Sequence, residues 1–327
     1  MTTARAHDVL NQELPFTEAV CYPFSADRAG VYSMMKRFLA SVVIGASLLL
    51  CNSSASAQES PCLRRTVLVN AVTEAGLPVQ GLSASDFSAE FRGKPIRILS
   101  TTRHTVSPRI VIVLDASGSM TSRPADWEIA RQIAVDAVRK TPAASLVALI
   151  VFSSQVVLKI DFSKGRMTVL EQLMTVQPGK SILTKGRKMT ALWDAIHEAI
   201  QLLEPARAGD VIYIITNGGD NASRMRREEI EHRLIASGVR PFIAGPLHLA
   251  GFRTPEEHYA PREIGAFTEA TGGASLFIGL PTWPRIDEKH VSAFSEQTSV
   301  VYTSLISNFY ALEIYLPFEG QASRLEA

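Results

Sequence analysis

The chain has 327 residues, 46% of them hydrophobic and 20% charged, which excludes general disorder and allows one large domain or two smaller ones. Its 33 basic and 32 acidic residues leave a formal charge of +1, so no global field draws it to nucleic acid or to an anionic membrane.

The N-terminal part reads as a targeting region. Lys36 and Arg37 precede an apolar run from Phe38 to Leu50, followed by small polar residues and the triplet Ala55, Ser56, Ala57. That order of basic, apolar and small residues predicts a secretory signal peptide over 34–57, cleaved before Gln58. The apolar run is too short to span a bilayer comfortably, so no stable span is expected after cleavage. Residues 1–33 lie upstream of this pattern and are read as a mis-annotated extension, with Met34 or Met35 as the start. Cys21 and Cys51 would leave with the signal, so the mature chain keeps Cys62 alone and forms no internal disulfide. The expected location is secreted or periplasmic, in the cell envelope.

A short β-strand segment is expected over 58–108. TVLVNAV alternates, GLPVQGL reads as a turn, and FRGKPIRIL carries a Gly and Pro turn before Ile96 and Ile98. So few strands seldom stand alone, so pairing with the C-terminal strand is expected.

From Arg109 the pattern changes to strands alternating with helices. Apolar strands are IVIVLD, SLVALIVFS, DVIYIIT, VRPFIAG and ASLFIGL, with VVLKIDF as an antiparallel edge strand beside the second. Helices are expected over Trp127–Lys140, Ala191–Leu203, Arg226–Ala236 and Pro261–Thr271, the last two closed by Gly238 and Gly272. Runs apolar on both faces need cover on both sides, so the fold class is α/β, a doubly wound, mostly parallel, Rossmann-like sheet. A last helix, 287–304, and a strand over 308–316 complete a C-terminal segment, 281–327.

Asp115 ends the first of these strands, where the loops of an open α/β sheet leave a ligand crevice. In D-x-S-x-S, Asp115, Ser117 and Ser119 can turn three oxygens to one point while Gly118 lets the loop bend. Such oxygens suit a hard divalent cation: Mg²⁺, or Mn²⁺ or Ca²⁺. The same residues also serve as helix caps. No GxSxG elbow, HExxH, CxxC or GxxxxGK[ST] is present, which argues against an enzyme.

DASGSM resembles the metal-binding loop of the von Willebrand factor type A (vWA) domain family, a resemblance that covers about 109–280. GLSASDF at 81–87, TALWDAI at 190–196 and the closing FYALEIYLP narrow it to exported bacterial vWA-related proteins. The resemblance implies a metal ion held by five loop residues from three segments, its coordination completed by a carboxylate of a protein partner. Carried over, the set is Asp115, Ser117, Ser119, Thr190 and Asn217. Thr190 equally suits a cap for the helix from Ala191. Asn217 stands where the family has Asp; it keeps a carbonyl oxygen but no charge. Asp220 reads as a loop acid capping the following helix, and Arg224, Arg226 and Arg227 as a solvated helix start. The leading expectation is a non-enzymatic, exported binding module for a protein partner offering an acidic side chain. A scaffold with a decayed metal site, binding through its β flanks, is the alternative, and a metal-assisted hydrolase ranks third because no general base can be named.

Overall fold

The computed structural model describes residues 64–71, 73, 78–91, 94–104, 107–121, 124–177, 189–248, 255–280 and 288–316. The signal sequence, its cleavage point, the three cysteines and the upstream extension lie outside the described residues. The chain divides into two units.

The larger unit holds the described residues of Leu68–Val79 and Arg103–Tyr310. Its six-stranded sheet runs β6 (Val156–Ile160), β5 (Leu146–Phe152), β4 (Arg109–Asp115), β7 (Val211–Ile215), β8 (Arg240–His248), β9 (Ala274–Leu280). All neighbouring pairs are parallel except β6 on β5, as the sequence predicts. The order reverses at β4, which has β5 on one side and β7 on the other, so the chain switches direction across the sheet at this strand.

Every residue of β4 is buried, because its alternating side chains enter two different cores. Ile110, Ile112 and Leu114 face α2 (Pro124–Lys140), α3 (Gly165–Thr175) and α7 (Glu288–Ser307). Val111 and Val113 face α4 (Leu192–Leu202), α5 (Arg227–Ser237) and α6 (Pro255–Ala270). Val147, Leu149, Ile212 and Ile214, expected inside from their apolar runs, are all 2% exposed or less. Each such side chain contributes about 1.5–3 kcal/mol through burial, which fixes β4 as the axis of the domain.

Three helices differ from the sequence reading. Helix α3 was not expected: of its apolar residues Val169 and Leu173 are buried, whereas Met167 and Met174 are exposed, which blurs the period. Helix α6 begins at Pro255 and carries Pro261 inside it, where the sequence rule places a proline at the start. The packing of Ala260, Ile264 and Phe267, all 0% exposed, overrides the penalty for an interior proline. Helix α7 extends to Ser307 instead of ending at 304.

The smaller unit contains the described residues of 64–67, 80–102 and 311–316. Its sheet has the order β1 (Arg64–Val69), β10 (Phe309–Tyr315), β3 (Lys94–His104), β2 (Ala89–Phe91), with β2 antiparallel to β3. The C-terminal strand β10 thus completes the early strands, as their small number required. Within GLSASDF, Asp86 accepts hydrogen bonds from Ser83 N at 2.8 Å and Ser83 Oγ at 2.6 Å, closing a 3₁₀ turn over Ala84–Asp86. The motif is therefore a capped turn leading into β2.

Candidate metal centre

The C-terminal ends of β4, β5 and β7 bring three loops together. After β4 the chain enters a single helical turn, α1 (Gly118–Thr121), so the backbone reverses directly over Asp115. Ser117 N donates to Asp115 Oδ1 at 2.7 Å, the turn-forming bond that fixes the carboxylate against its own loop. Thr216 Oγ donates to Asp115 Oδ2 at 2.6 Å. The parallel register pairs Leu114 with Ile215, which sets Asp115 beside Thr216 one step further along.

From Asp115 outward the oxygens form a chain. Ser117 Oγ and Ser119 Oγ are 3.1 Å apart, and Ser119 Oγ donates to Asn217 Oδ1 at 3.2 Å. Asp115 is fully buried and Ser117 is 1% exposed, while Ser119 and Asn217 are partly exposed. Four of the five sequence-predicted residues are thus joined in a row that runs from the core to the surface.

Thr190 enters differently. It is 5% exposed and held by its backbone: Thr190 N donates to Asn221 Oδ1 at 2.8 Å, and its carbonyl accepts from Asn221 N at 3.0 Å and Ala222 N at 3.1 Å. Its hydroxyl does not cap α4, whose N-cap is Ala191. Asp220 performs that task, accepting from Leu192 N at 2.8 Å, so it caps the helix before it in sequence and not the one that follows. The basic residues behave as a solvated helix start, with Arg227 Nε 3.1 Å from Glu231.

Electrostatics single out Asp115. Burial pushes its pKa above the ordinary value, hydrogen bonds from Thr216 and Ser117 oppose the shift, and the Asp220 carboxylate adds to it. Asp220 is itself pushed up by burial, against its bonds to Ser223 and the start of α4. Two carboxylates that sense each other, with no ion pair at Asp115 among the described residues, make a locally negative site.

Sequence reasoning missed Thr216, Asn221, Ser223 and Ser153. Ser153 follows β5, is 2% exposed, and has a buried hydroxyl with no hydrogen-bond partner, while its carbonyl accepts from Ala191 N at 2.7 Å. Two glycines make the geometry possible. Gly218 has φ +95°, and a Cβ there would come within 2.8 Å of Ala260 Cβ; a Cβ on Gly245 would meet the Thr216 carbonyl oxygen at 1.8 Å. A side chain at Gly245 would thus displace the residue that holds Asp115.

Among the described residues no group of three or more His, Cys, Asp or Glu is placed to hold a metal. The donors here are one carboxylate, hydroxyls and an amide carbonyl, a hard-oxygen set that fits Mg²⁺ or Ca²⁺ in kind and does not fit zinc. Residues 110–220 match the family model for the von Willebrand factor type A domain.

This is a von Willebrand factor type A domain.

Members of the vWA family often serve as protein-interaction modules. Among solved structures, the chain is similar to a von Willebrand factor type A protein from Catenulispora acidiphila, with 13% identity, 79% of this chain and 66% of that one covered, and a TM-score of 0.45. It is similar also to the conserved hypothetical protein BatB from Bacteroides thetaiotaomicron, with 17% identity, coverage of 60% and 98%, and a TM-score of 0.41. A third is proximal thread matrix protein 1 of the mussel byssus, with 13% identity, 62% of this chain covered and a TM-score of 0.43; the chain spans 50% of that protein's length. No curated protein sequence matches the chain. No helix among the described residues is long and apolar enough to cross a membrane.

Proposed function

We propose that the protein is an exported, non-enzymatic binding module that recognises a protein partner through a divalent cation, Mg²⁺ or else Mn²⁺ or Ca²⁺, at Asp115, Ser117, Ser119, Thr190 and Asn217. The row of oxygens from Asp115 through Ser117 and Ser119 to Asn217 carries this reading, because it joins loops 98 residues apart at the switch point of the sheet. Neutral donors dominate, so a bound cation would keep most of its charge for an acidic side chain of the partner. What such an ion supplies is a fixed positive charge; the chain's own part is to hold Asp115 through Thr216 and to expose Ser119 and Asn217 at the surface.

The order of segments proposed with this function is a signal over 34–57, a β segment over 58–108, the vWA domain over 109–280 and a C-terminal helix and strand over 281–327, in a secreted or periplasmic product. The full chain, used to capture partners from an envelope fraction with Mg²⁺ and again with EDTA, tests the reading. Capture with Mg²⁺ that EDTA abolishes is expected, and capture indifferent to EDTA contradicts it. The uncharged Asn217 favours a second reading, a scaffold with a degenerate metal site that binds through its β flanks. For that scaffold, Asp115→Ala leaves capture intact.

A further inference from the structure

Between Asp220 and Arg224 the third loop makes more bonds than a helix cap requires. Capping α4 calls for acceptors at its first N–H groups. Asp220 supplies one to Leu192, and Ser223 Oγ, which donates to Asp220 Oδ1 at 2.5 Å, accepts from Trp193 N at 2.9 Å and Asp194 N at 3.2 Å. Asp194 answers across the same gap, accepting from Arg224 N at 3.0 Å and Met225 N at 2.9 Å. With these in place the first turn of the helix is satisfied.

Asn221 does something else. Its side-chain oxygen accepts from the N–H of Thr190 and its own N–H donates to the carbonyl of Thr190, while Ala222 N donates to that same carbonyl. None of these bonds serves a helical N–H, since Thr190 precedes the N-cap Ala191. They grip one residue from both sides. Thr190 has no side-chain hydrogen bond among the described residues, so this grip is what sets where its hydroxyl lies.

We propose that Asp220, Asn221 and Ser223 form a clasp that positions Thr190, binding the second donor loop to the third so that Thr190 and Asn217 move as one body. The inference rests on the metal reading above and refines it: Asp220 and Asn221 are positioning residues and not ligands, and Asn217 is the third loop's contribution to the ion. Because the clasp is anchored on α4 and the oxygen row on β4, the two halves of the site are held independently. Loss of the clasp therefore frees Thr190 while leaving Asp115, Ser117, Ser119 and Asn217 in their bonds.

Mg²⁺ titration of the full chain, its Asn221→Ala, Asp220→Asn and Asp220→Ala variants, and a core control, Ile230→Val in α5, tests the clasp. Asn221→Ala should weaken Mg²⁺ by about tenfold or more, the usual loss when an outer-shell partner goes. Ile230→Val should leave Mg²⁺ affinity unchanged, which separates positioning from loss of stability. Asp220→Asn keeps a carbonyl for Leu192 N–H and should retain most of the affinity, whereas Asp220→Ala should lose it. Equal losses in Asp220→Asn and Asp220→Ala overturn the assignment, because Asp220 would then act as a charged ligand. If the wild type binds no Mg²⁺ the metal reading fails, and the clasp is judged by amide exchange at Thr190 without metal. Slow exchange that Asn221→Ala accelerates supports it; equal exchange in both proteins overturns it.

Discussion

Asp115 is a carboxylate withdrawn from water and given only hydrogen bonds in return. Its pKa is raised above the ordinary 3.8 by burial, so the folded chain binds its proton more tightly than the unfolded chain does. The sign follows: metal-free stability falls as pH rises from about 3.8 through the folded value, and the ionised group's penalty is fully present above it. Asp115→Asn removes that penalty and keeps an oxygen for Ser117 N–H, while its amide can donate to Thr216 Oγ. Metal-free Asp115→Asn should therefore melt higher than metal-free wild type at neutral pH, with the gap closing in acid, as thermal melts from acid to neutral pH will read. The same variant should gain nothing from Mg²⁺. Asn217 offers the opposite sign. Asn217→Asp adds a second charge within reach of Ser119 Oγ and should tighten Mg²⁺ in the free protein, because ligand charge tunes affinity. It should help capture of an acidic partner less, or harm it, since less of the ion's charge is left over. Titration and capture run on both proteins check the pair of outcomes.

At the scale of elements, strand β4 is held at both ends by β7 and the loop before it. At the upper end Thr216 bonds Asp115; at the lower end Arg109 pairs with Asp210 through Nε at 3.1 Å and through Nη2, which also donates to the carbonyls of Leu203 at 2.7 Å and Pro205 at 2.8 Å. Arg109 is 9% exposed and Asp210 1%. Removing the arginine strands a buried carboxylate, so Arg109→Ala should lose about 3–5 kcal/mol in chemical denaturation, far more than an exposed pair would. The apolar runs of the strands made this layer legible in sequence, since five consecutive buried residues such as VIYII suit only a doubly covered sheet. Helix α3 was not legible, because a helix that buries only Val169 and Leu173 leaves no clean period. The oxygen row was legible through D-x-S-x-S and Asn217. Thr216 and Asn221 were not: the first depends on strand register, the second on a bond across 31 residues, and neither is written in local spacing.

At the scale of the whole molecule, the candidate site exists only in the folded vWA domain. Asp115 meets Thr216 across 101 residues and Ser119 meets Asn217 across 98, so unfolding disperses the donors. A cation that binds them must then stabilise the fold, by about 2.7 kcal/mol when present at about 100 times its dissociation constant. The most direct measurement is isothermal titration of Mg²⁺ into the metal-stripped full chain, beside the Asp115→Ala variant. One saturable site in the wild type, absent from Asp115→Ala, is the expected result. No saturable heat at millimolar Mg²⁺, or the same isotherm from both proteins, would contradict a metal centre at Asp115.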